Sequence, residues 1–335
     1  MSPLPAIDEL AFRTLDFDND LPAIVAINNH CWPLDGRIDR DTLEARRRHW
    51  RDTENFHAEN VLIVQIGMRI IGYATVSWQE NDETSRWFFI YGVLLPEWRR
   101  RSIGRAVQEW LEMRCAQINQ TLPSKVNVLL DTYCFDVVTG KIALLKAHGF
   151  HVEWRGEMME CRLDIPAATG EVPPGIEVRA AQLNDVPAIL EALMEGHQDT
   201  AGRVSATEAQ VRDFIAYHGE HQLGLWQVAW DKTTNEIAAV VIVGAADGVV
   251  NPRVGTTQGD LSNLSTRHAW RRRGIAKFLI LRALEQLRQR GVGLCVVGVY
   301  DNNASAIALY RSVGFLPGVG MTGFQKRLAT IQRSL

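Results

Sequence analysis

Three consecutive guanidinium groups and a glycine, Arg271-Arg272-Arg273-Gly274-Ile275-Ala276, fall between a predicted strand at 259–266 and a predicted helix at 274–290. The first amides of a helix have no acceptor within it, and the helix dipole adds a positive end to them. Gly274 carries no side chain that would keep a phosphate off the backbone. The chemistry this arrangement offers is capture of an anion. A triple arginine before a helix also describes an ordinary solvated basic turn, and the segment alone does not separate the two.

Its company does. The pattern Arg271-x-x-Gly274-x-Ala276, followed by Asn303-x-x-Ala306-x-x-Leu309-Tyr310-x-x-x-Gly314-Phe315, resembles the two signature motifs of the GNAT superfamily of acyl-CoA-dependent N-acyltransferases. The resemblance covers essentially residues 176–330. It implies acetyl-CoA as co-substrate, with the backbone amides of Arg271, Arg272, Arg273, Gly274, Ile275 and Ala276 on the pyrophosphate. It also implies Leu264, Ser265 and Thr266, at a splayed strand edge, along the pantetheine arm, and Asn303 beside the cofactor. Tyr310 matches the position whose phenol protonates the departing thiolate. A phenol of pKa about 10 suits donation to a thiolate of pKa about 8.5. The same residue also reads as a buried aromatic under Gly314-Phe315. An alkylammonium must lose its proton before it can attack, so a base is expected. Asp260, eleven residues before Arg271, resembles the site of a Glu base in several members, one methylene shorter. A turn-capping Asp after Gly259 is the competing reading, and Ser262 is a further polar candidate. Transfer should be direct and sequential, since it needs thioester and amine together and proximity supplies much of the rate; an acetyl-enzyme on Cys295, the only cysteine from 176 onward, would overturn this.

The elements that must position these residues occur twice. Asn19-Asp20-Leu21-Pro22-Ala23-Ile24 returns as Asn184-Asp185-Val186-Pro187-Ala188-Ile189 at an offset of 165, and Trp98-Arg99-Arg100-Arg101-Ser102-Ile103-Gly104 returns as Trp270 to Ala276 at 172. His148-Gly149-Phe150 and Val313-Gly314-Phe315 restore the offset of 165. A drifting offset over three landmarks indicates a duplicated unit. The Pro- and Gly-rich stretch 165–175 reads as a linker, giving domains 1–164 and 176–335. The second is predicted as strand 176–181, helices 184–196 and 205–217, strands 223–230, 237–246 and 259–266, helix 274–290, strand 292–299, helix 303–313 and terminal strands. The fold class is α/β of the α+β kind, two tandem GNAT domains, each a mixed, mostly antiparallel sheet flanked by helices.

The first copy departs from the motif. Ser102 takes the first small-residue position, Val138 stands for Asn303, Leu145 for Tyr310 and Phe88 for Asp260. No acid or base remains, so this domain is expected to be non-catalytic: structural, substrate-shaping or a vestigial cofactor site, with Ser102 crowding its loop. A non-enzymatic acyl-CoA sensor is the alternative for the whole chain, and Tyr310 with Asp260 speaks against it.

Composition narrows the partners. The 335 residues are 46% hydrophobic and 22% charged with a net charge of −3, which lacks the basic excess of a nucleic-acid or anionic-membrane binder. Arg46-Arg47-Arg48 and Arg99-Arg100-Arg101 then read as solvated helix and loop faces. No apolar run approaches the roughly 20 residues of a membrane helix, and the beginning does not read as a secretory signal. Five scattered cysteines fit reduced thiols in a cytoplasm. His218 and His221 lack a second ligand pair and read as surface residues, so no metal is expected. A small-molecule or peptide amine acting on a monomer or homodimer, with no nucleic acid and no membrane, is the expectation; the segments expected near the acceptor are 196–205 and the strand of Trp226, Val228 and Trp230.

Overall fold

A computed structural model of the chain describes residues 5–328 apart from 38–40, 53–55, 81–82, 126, 167–169, 197–205 and 252–253. Contacts divide the chain into two units, one formed by Met1–Arg155 with Val319–Leu335 and the other by Gly156–Gly318.

The first unit runs β1 (Leu10–Thr14), α1 (Phe17–Leu34), α2 (Leu43–Asp52), β2 (Val61–Ile66), β3 (Arg69–Glu80), β4 (Ser85–Leu94), α3 (Ile103–Thr121), β5 (Asn127–Phe135) and α4 (Thr139–Ala147). Neighbouring strands pair antiparallel from β1 to β4, whereas β4 and β5 run parallel. Asp16 opens α1 by accepting from the Asn19 amide, and Arg13 grips the buried Asp20 at 2.6 Å. The core gathers Leu21, Ile24, Ile63, Ile71, Phe88 and Ile103, all essentially solvent-free.

The second unit begins within β6 (His151–Arg162) and continues through β7 (Ile176–Ala180), α5 (Val186–Gly196), α6 (Glu208–His218), β8 (Gln227–Asp231), β9 (Ile237–Asn251), β10 (Thr256–Thr266), α7 (Ile275–Gln289), β11 (Leu294–Tyr300) and α8 (Ala304–Arg311). Strands β7 to β10 pair antiparallel, and β10 runs parallel to β11. Helix α7 buries Ile275, Phe278, Leu279, Ile280, Ala283, Leu284 and Leu287. At about 1.5–3 kcal/mol for each large side chain removed from water, this stripe fixes the helix, and with it the position of its first turn.

The seams do not fall at 165–175. Residues Gly156–Arg162 of β6 pair with Tyr300–Leu294 of β11, inside the second unit, and Met321–Arg327 of β12 (Leu316–Arg327) pair with Phe135–Leu129 of β5, inside the first. Each unit therefore completes its sheet with a strand from the other half of the sequence. A cut at the linker would leave β5 and β11 as open edges, with their backbone groups unpaired. The terminal strand expected in the second domain belongs mostly to the first unit for this reason. Smaller differences are local. Residues 220–225 wind into tight helical turns, so β8 starts at Gln227, and a Thr207/Gln210 capping box delays α6 to Glu208.

Candidate active site

The loop before α7 has the backbone that anion capture requires. Arg272 and Gly274 adopt left-handed conformations, with φ of 64° and 77°. No side chain caps α7, and its first turn carries no acid. The Phe278 amide is the first to find the Gly274 carbonyl, at 3.1 Å, which leaves the amides before it without an intrahelical acceptor. A Cβ placed on Gly274 would meet no protein atom within 4 Å. The glycine thus satisfies a backbone angle and leaves open space beside the turn, which fits a pyrophosphate. The arginine side chains do a different job. Arg271 donates through Nε to the Thr266 carbonyl at 3.1 Å and through a terminal nitrogen to the Gly196 carbonyl at 2.9 Å, while Arg273 donates to the Ala269 carbonyl at 2.9 Å. Two of the three arginines therefore hold the loop in shape and tie it to α5.

The preceding strand splays as expected. Pairing of β10 with β11 covers Gln258, Gly259 and Asp260, which faces Val296. Beyond Asp260 the limb that carries Leu264, Ser265 and Thr266 pairs with β9 alone, so its other edge can receive an extended amide-bearing arm. A register shift between Leu261 and Asn263 marks the bend. Helix α5 comes close against this limb: the Ser265 hydroxyl donates to the Ala192 carbonyl at 3.1 Å, and a Cβ on Gly196 would stand 1.7 Å from that hydroxyl. Ser262 lies at the bend, its hydroxyl 3.4 Å from the Ile242 carbonyl.

Asp260 is exposed at the narrow end of the gap, its carboxylate over Gly244, where an added Cβ would meet Oδ1 at 2.8 Å. It stands inside the strand ladder, so the turn-capping alternative does not describe it. Cys295, paired with Gly259 on β11, is fully buried; burial first and then the Asp260 charge push its thiol well above the ordinary value. Tyr310 on α8 is 6% exposed and packs against Phe315, ring centres 5.6 Å apart. Burial, followed by the nearby Cys295, pushes its phenol up to about 12. Among the described residues its hydroxyl has no hydrogen-bond partner, so its proton is uncommitted. Asn303 caps α8, accepting from the Ala306 amide at 3.1 Å.

The structure corrects the reading of one histidine. His218 is not a surface histidine: it ends α6 with its ring 4.5 Å from Phe214 and 5.5 Å from Trp226, and its Nε2 lies 3.5 Å from Asn263 Nδ2 on the splayed limb. Burial lowers its pKa to about 4, so the ring is neutral at pH 7. The signal was the spacing Phe214-x-x-x-His218, which sets both rings on one helical face. Conversely, Trp226 and Val228 are core residues, 1% and 0% exposed, and only Trp230 is partly open, with the Arg179 guanidinium 4.4 Å over its ring. Of the segment 196–205 only Gly196 lies among the described residues. In the arginine runs Arg47, Arg48, Arg100 and Arg101 are exposed as expected, and one member of each is half-buried. Arg46 pairs with the buried Asp41 at 2.9 Å, and Arg99 pairs with Asp35 at 2.6 Å and donates to the Leu94 carbonyl at 2.9 Å.

A splayed parallel strand pair thus stands beside an uncapped, glycine-led helix N-terminus. Residues 187–315 match the family model for the acetyltransferase (GNAT) family. A Salmonella typhimurium [ribosomal protein bS18]-alanine N-acetyltransferase is 31% identical over 104 residues, 31% of this chain and 62% of that protein. The chain thus spans under two thirds of that relative. Over nearly its whole length the chain shares its fold with a GCN5-related N-acetyltransferase from Sphaerobacter thermophilus, at 22% identity, TM-score 0.73 and 96% of each chain. It shares it equally with a tandem GNAT protein from the clavulanic acid biosynthesis pathway, at 16% identity, TM-score 0.74, 96% of this chain and 99% of that one. The chain thus has a tandem GNAT fold, with the family match in its second unit. Among the described residues no helix is long and apolar enough to cross a membrane, and all five cysteines are free and buried.

Proposed function

We propose that the second unit transfers an acetyl group from acetyl-CoA directly to a primary amine. The observation that carries this reading is the placement of Asp260 at the narrow end of the β10/β11 gap, with the uncommitted Tyr310 hydroxyl and the Arg271–Ala276 cradle in the same unit. The cradle holds the pyrophosphate on the amides of Arg272 to Ala276. The free edge of Leu264–Thr266 aligns the arm and offers N–H groups that polarise the thioester carbonyl. Asn303 orders the start of α8 against the arm.

Asp260 takes the proton from the attacking amine, directly or through one water. Tyr310 supplies a proton to the sulfur as the carbon–sulfur bond breaks. A phenol shifted up to about 12 is fully protonated at neutral pH and so enters the step carrying the proton. The held-protonated Cys295 is a poor nucleophile, which favours a ternary complex over an acyl-enzyme. His218, neutral and beside Asn263, borders the side from which the amine would come.

The similar bS18-alanine acetyltransferase makes peptides with N-terminal alanine a first acceptor class, with polyamines, amino acids and aminoglycosides as the other arms. The test is thiol release from acetyl-CoA against this panel. Turnover on one class supports the reading. Cofactor binding without turnover on any amine would replace it with a sensor role.

A further inference from the structure

On β10, Asp260 lies opposite Gly244 and Leu261 opposite Val243, but Asn263 lies opposite Ile242. The step from Leu261 to Asn263 thus takes two residues on β10 and one on β9. Opposed residues of an antiparallel pair share a face, and successive residues alternate between faces. Leu261 and Val243 are turned into the core, and in a regular ladder Asn263 would join them there. The extra residue, Ser262, re-aims Asn263 onto the face that carries Asp260 and Gly244. The bulge therefore brings a carboxamide alongside the carboxylate.

The surroundings of that carboxamide are uncharged. His218 Nε2 lies 3.5 Å from Asn263 Nδ2, and its ring is held edge-on against Phe214 and Trp226. Burial keeps this imidazole neutral at pH 7, with a pKa of about 4, so it offers one donor and one acceptor without a charge. With Nδ2 turned to His218, Asn263 Oδ1 has no partner among the described residues. The exposed Ser262 adds a hydroxyl beside it. The first cation after them in the chain, Arg267, is engaged by Glu195 at 2.9 Å. Three uncharged hydrogen-bonding groups thus accompany the carboxylate of Asp260.

We infer that Asn263 and His218 determine which amine the site accepts: they hold an uncharged backbone amide, so the substrate is the N-terminus of a peptide. This rests on the reading of Asp260 as the base of the second unit. At about 3.3 Å per strand residue, with one residue spent on the bulge, Asn263 stands roughly 7–10 Å along the face from Asp260. An extended peptide whose amine meets Asp260 brings the N–H of its third residue to about that distance. Asn263 Oδ1 accepts from this N–H, while His218, accepting at Nε2, keeps Nδ2 on its own side and Oδ1 outward. A free amino acid would set its carboxylate near Asp260, where these groups offer it no cation. A diamine would bring its second ammonium to a carboxamide that leaves the charge uncompensated.

The test measures kcat/KM of the full chain at saturating acetyl-CoA for three acceptors: Ala-Gly-Gly amide, free alanine and the diamine cadaverine. The tripeptide amide should exceed the other two by about tenfold or more. Asn263→Asp keeps the size of the side chain and puts a carboxylate in place of the carboxamide, so the tripeptide-to-cadaverine ratio should fall about tenfold. His218→Phe keeps the ring contacts and releases the carboxamide; it should raise KM for the tripeptide about fivefold or more at nearly unchanged kcat. His218→Gln, which retains an acceptor, should recover part of that loss. Thermal melting accompanies each variant, and if Asn263→Asp does not melt cooperatively, His218→Phe decides. A native preference for another amine class would overturn the inference. So would a ratio unmoved by Asn263→Asp, or a loss in His218→Phe that falls evenly on all three acceptors. Absence of turnover on every amine of the wider panel would instead refute the transfer reaction itself, so the two failures are distinguishable.

Discussion

Tyr310→Phe separates a chemical role from a packing one. The ring is 6% exposed and rests on Phe315, and phenylalanine preserves that contact. The lost hydroxyl has no partner among the described residues, so no second group is stranded by its removal. Stability should therefore stay within about 1 kcal/mol of the native chain. Catalysis should respond differently. A proton donor that acts only as the thiolate departs contributes about 10²–10³-fold to kcat, roughly 3–4 kcal/mol at the transition state. Acetyl-CoA affinity and the KM for the amine should barely move, since neither ground state uses the proton. The assay is thiol release at saturating acetyl-CoA, with calorimetry for affinity and thermal melting for stability. Because burial pushes the phenol up to about 12, Tyr310 should impose no alkaline limb on kcat below about pH 11, one unit under that value. A kcat within threefold of the native chain would remove Tyr310 from the mechanism. A kcat loss that tracks a fall in melting temperature would reduce it to a packing residue.

Asp260→Asn keeps the size of the side chain and removes the base, so kcat should fall about 10²-fold or more with acetyl-CoA affinity unchanged in calorimetry; unaltered kcat would leave Asp260 without a catalytic part. His218 makes stability pH-dependent. Its folded pKa of about 4 lies below the ordinary 6.5, so between these values the unfolded chain binds a proton that the folded chain refuses, and stability should fall as pH drops from 6.5 towards 4. His218→Phe should flatten that segment of a melting-temperature profile, and an unchanged slope would count against burial as the cause. Gly196→Ala puts a methyl 1.7 Å from the Ser265 hydroxyl and should cost about 1–3 kcal/mol in denaturant unfolding, relieved by Ser265→Gly; no loss would mean that α5 can retreat from β10. A fragment 176–335 should lack a cooperative melt, whereas 156–318, which retains the strand paired with β11, should melt cooperatively.

Much of the site was legible because it depends on backbone. Gly274 signals a left-handed angle, the helical period of 275–287 signals a buried stripe, and both are written in residue types. The splay beyond Asp260 was legible only through the motif resemblance, since Leu264, Ser265 and Thr266 are unremarkable strand residues. What the sequence concealed depends on contacts distant in the chain. The partner of β11 lies in β6, 132 positions away at the Leu294–Arg162 pair and 144 at Tyr300–Gly156, and no local pattern in 151–162 says which edge it will join. His218 looked solvated because its neighbours in sequence are polar, while its neighbours in space are Phe214, Trp226 and Asn263. The first loop looked spoiled by Ser102, yet Arg100 and Ser102, with φ of 64° and 63°, lie in the same left-handed region as Arg272 and Gly274, at 64° and 77°.

The crossed strands also bear on how such a chain can change over generations. A gene that lost its first half would lose Gly156–Arg162 and bare β11, and one that lost its second half would lose β12 and bare β5. Neither deletion yields a finished sheet, so the duplication works as a ratchet. Positions such as Val138 and Leu145 are free to drift from the ancestral motif, while the copy that contains them stays indispensable as the donor of a strand. A half freed from catalysis but barred from deletion is well placed to acquire a different ligand.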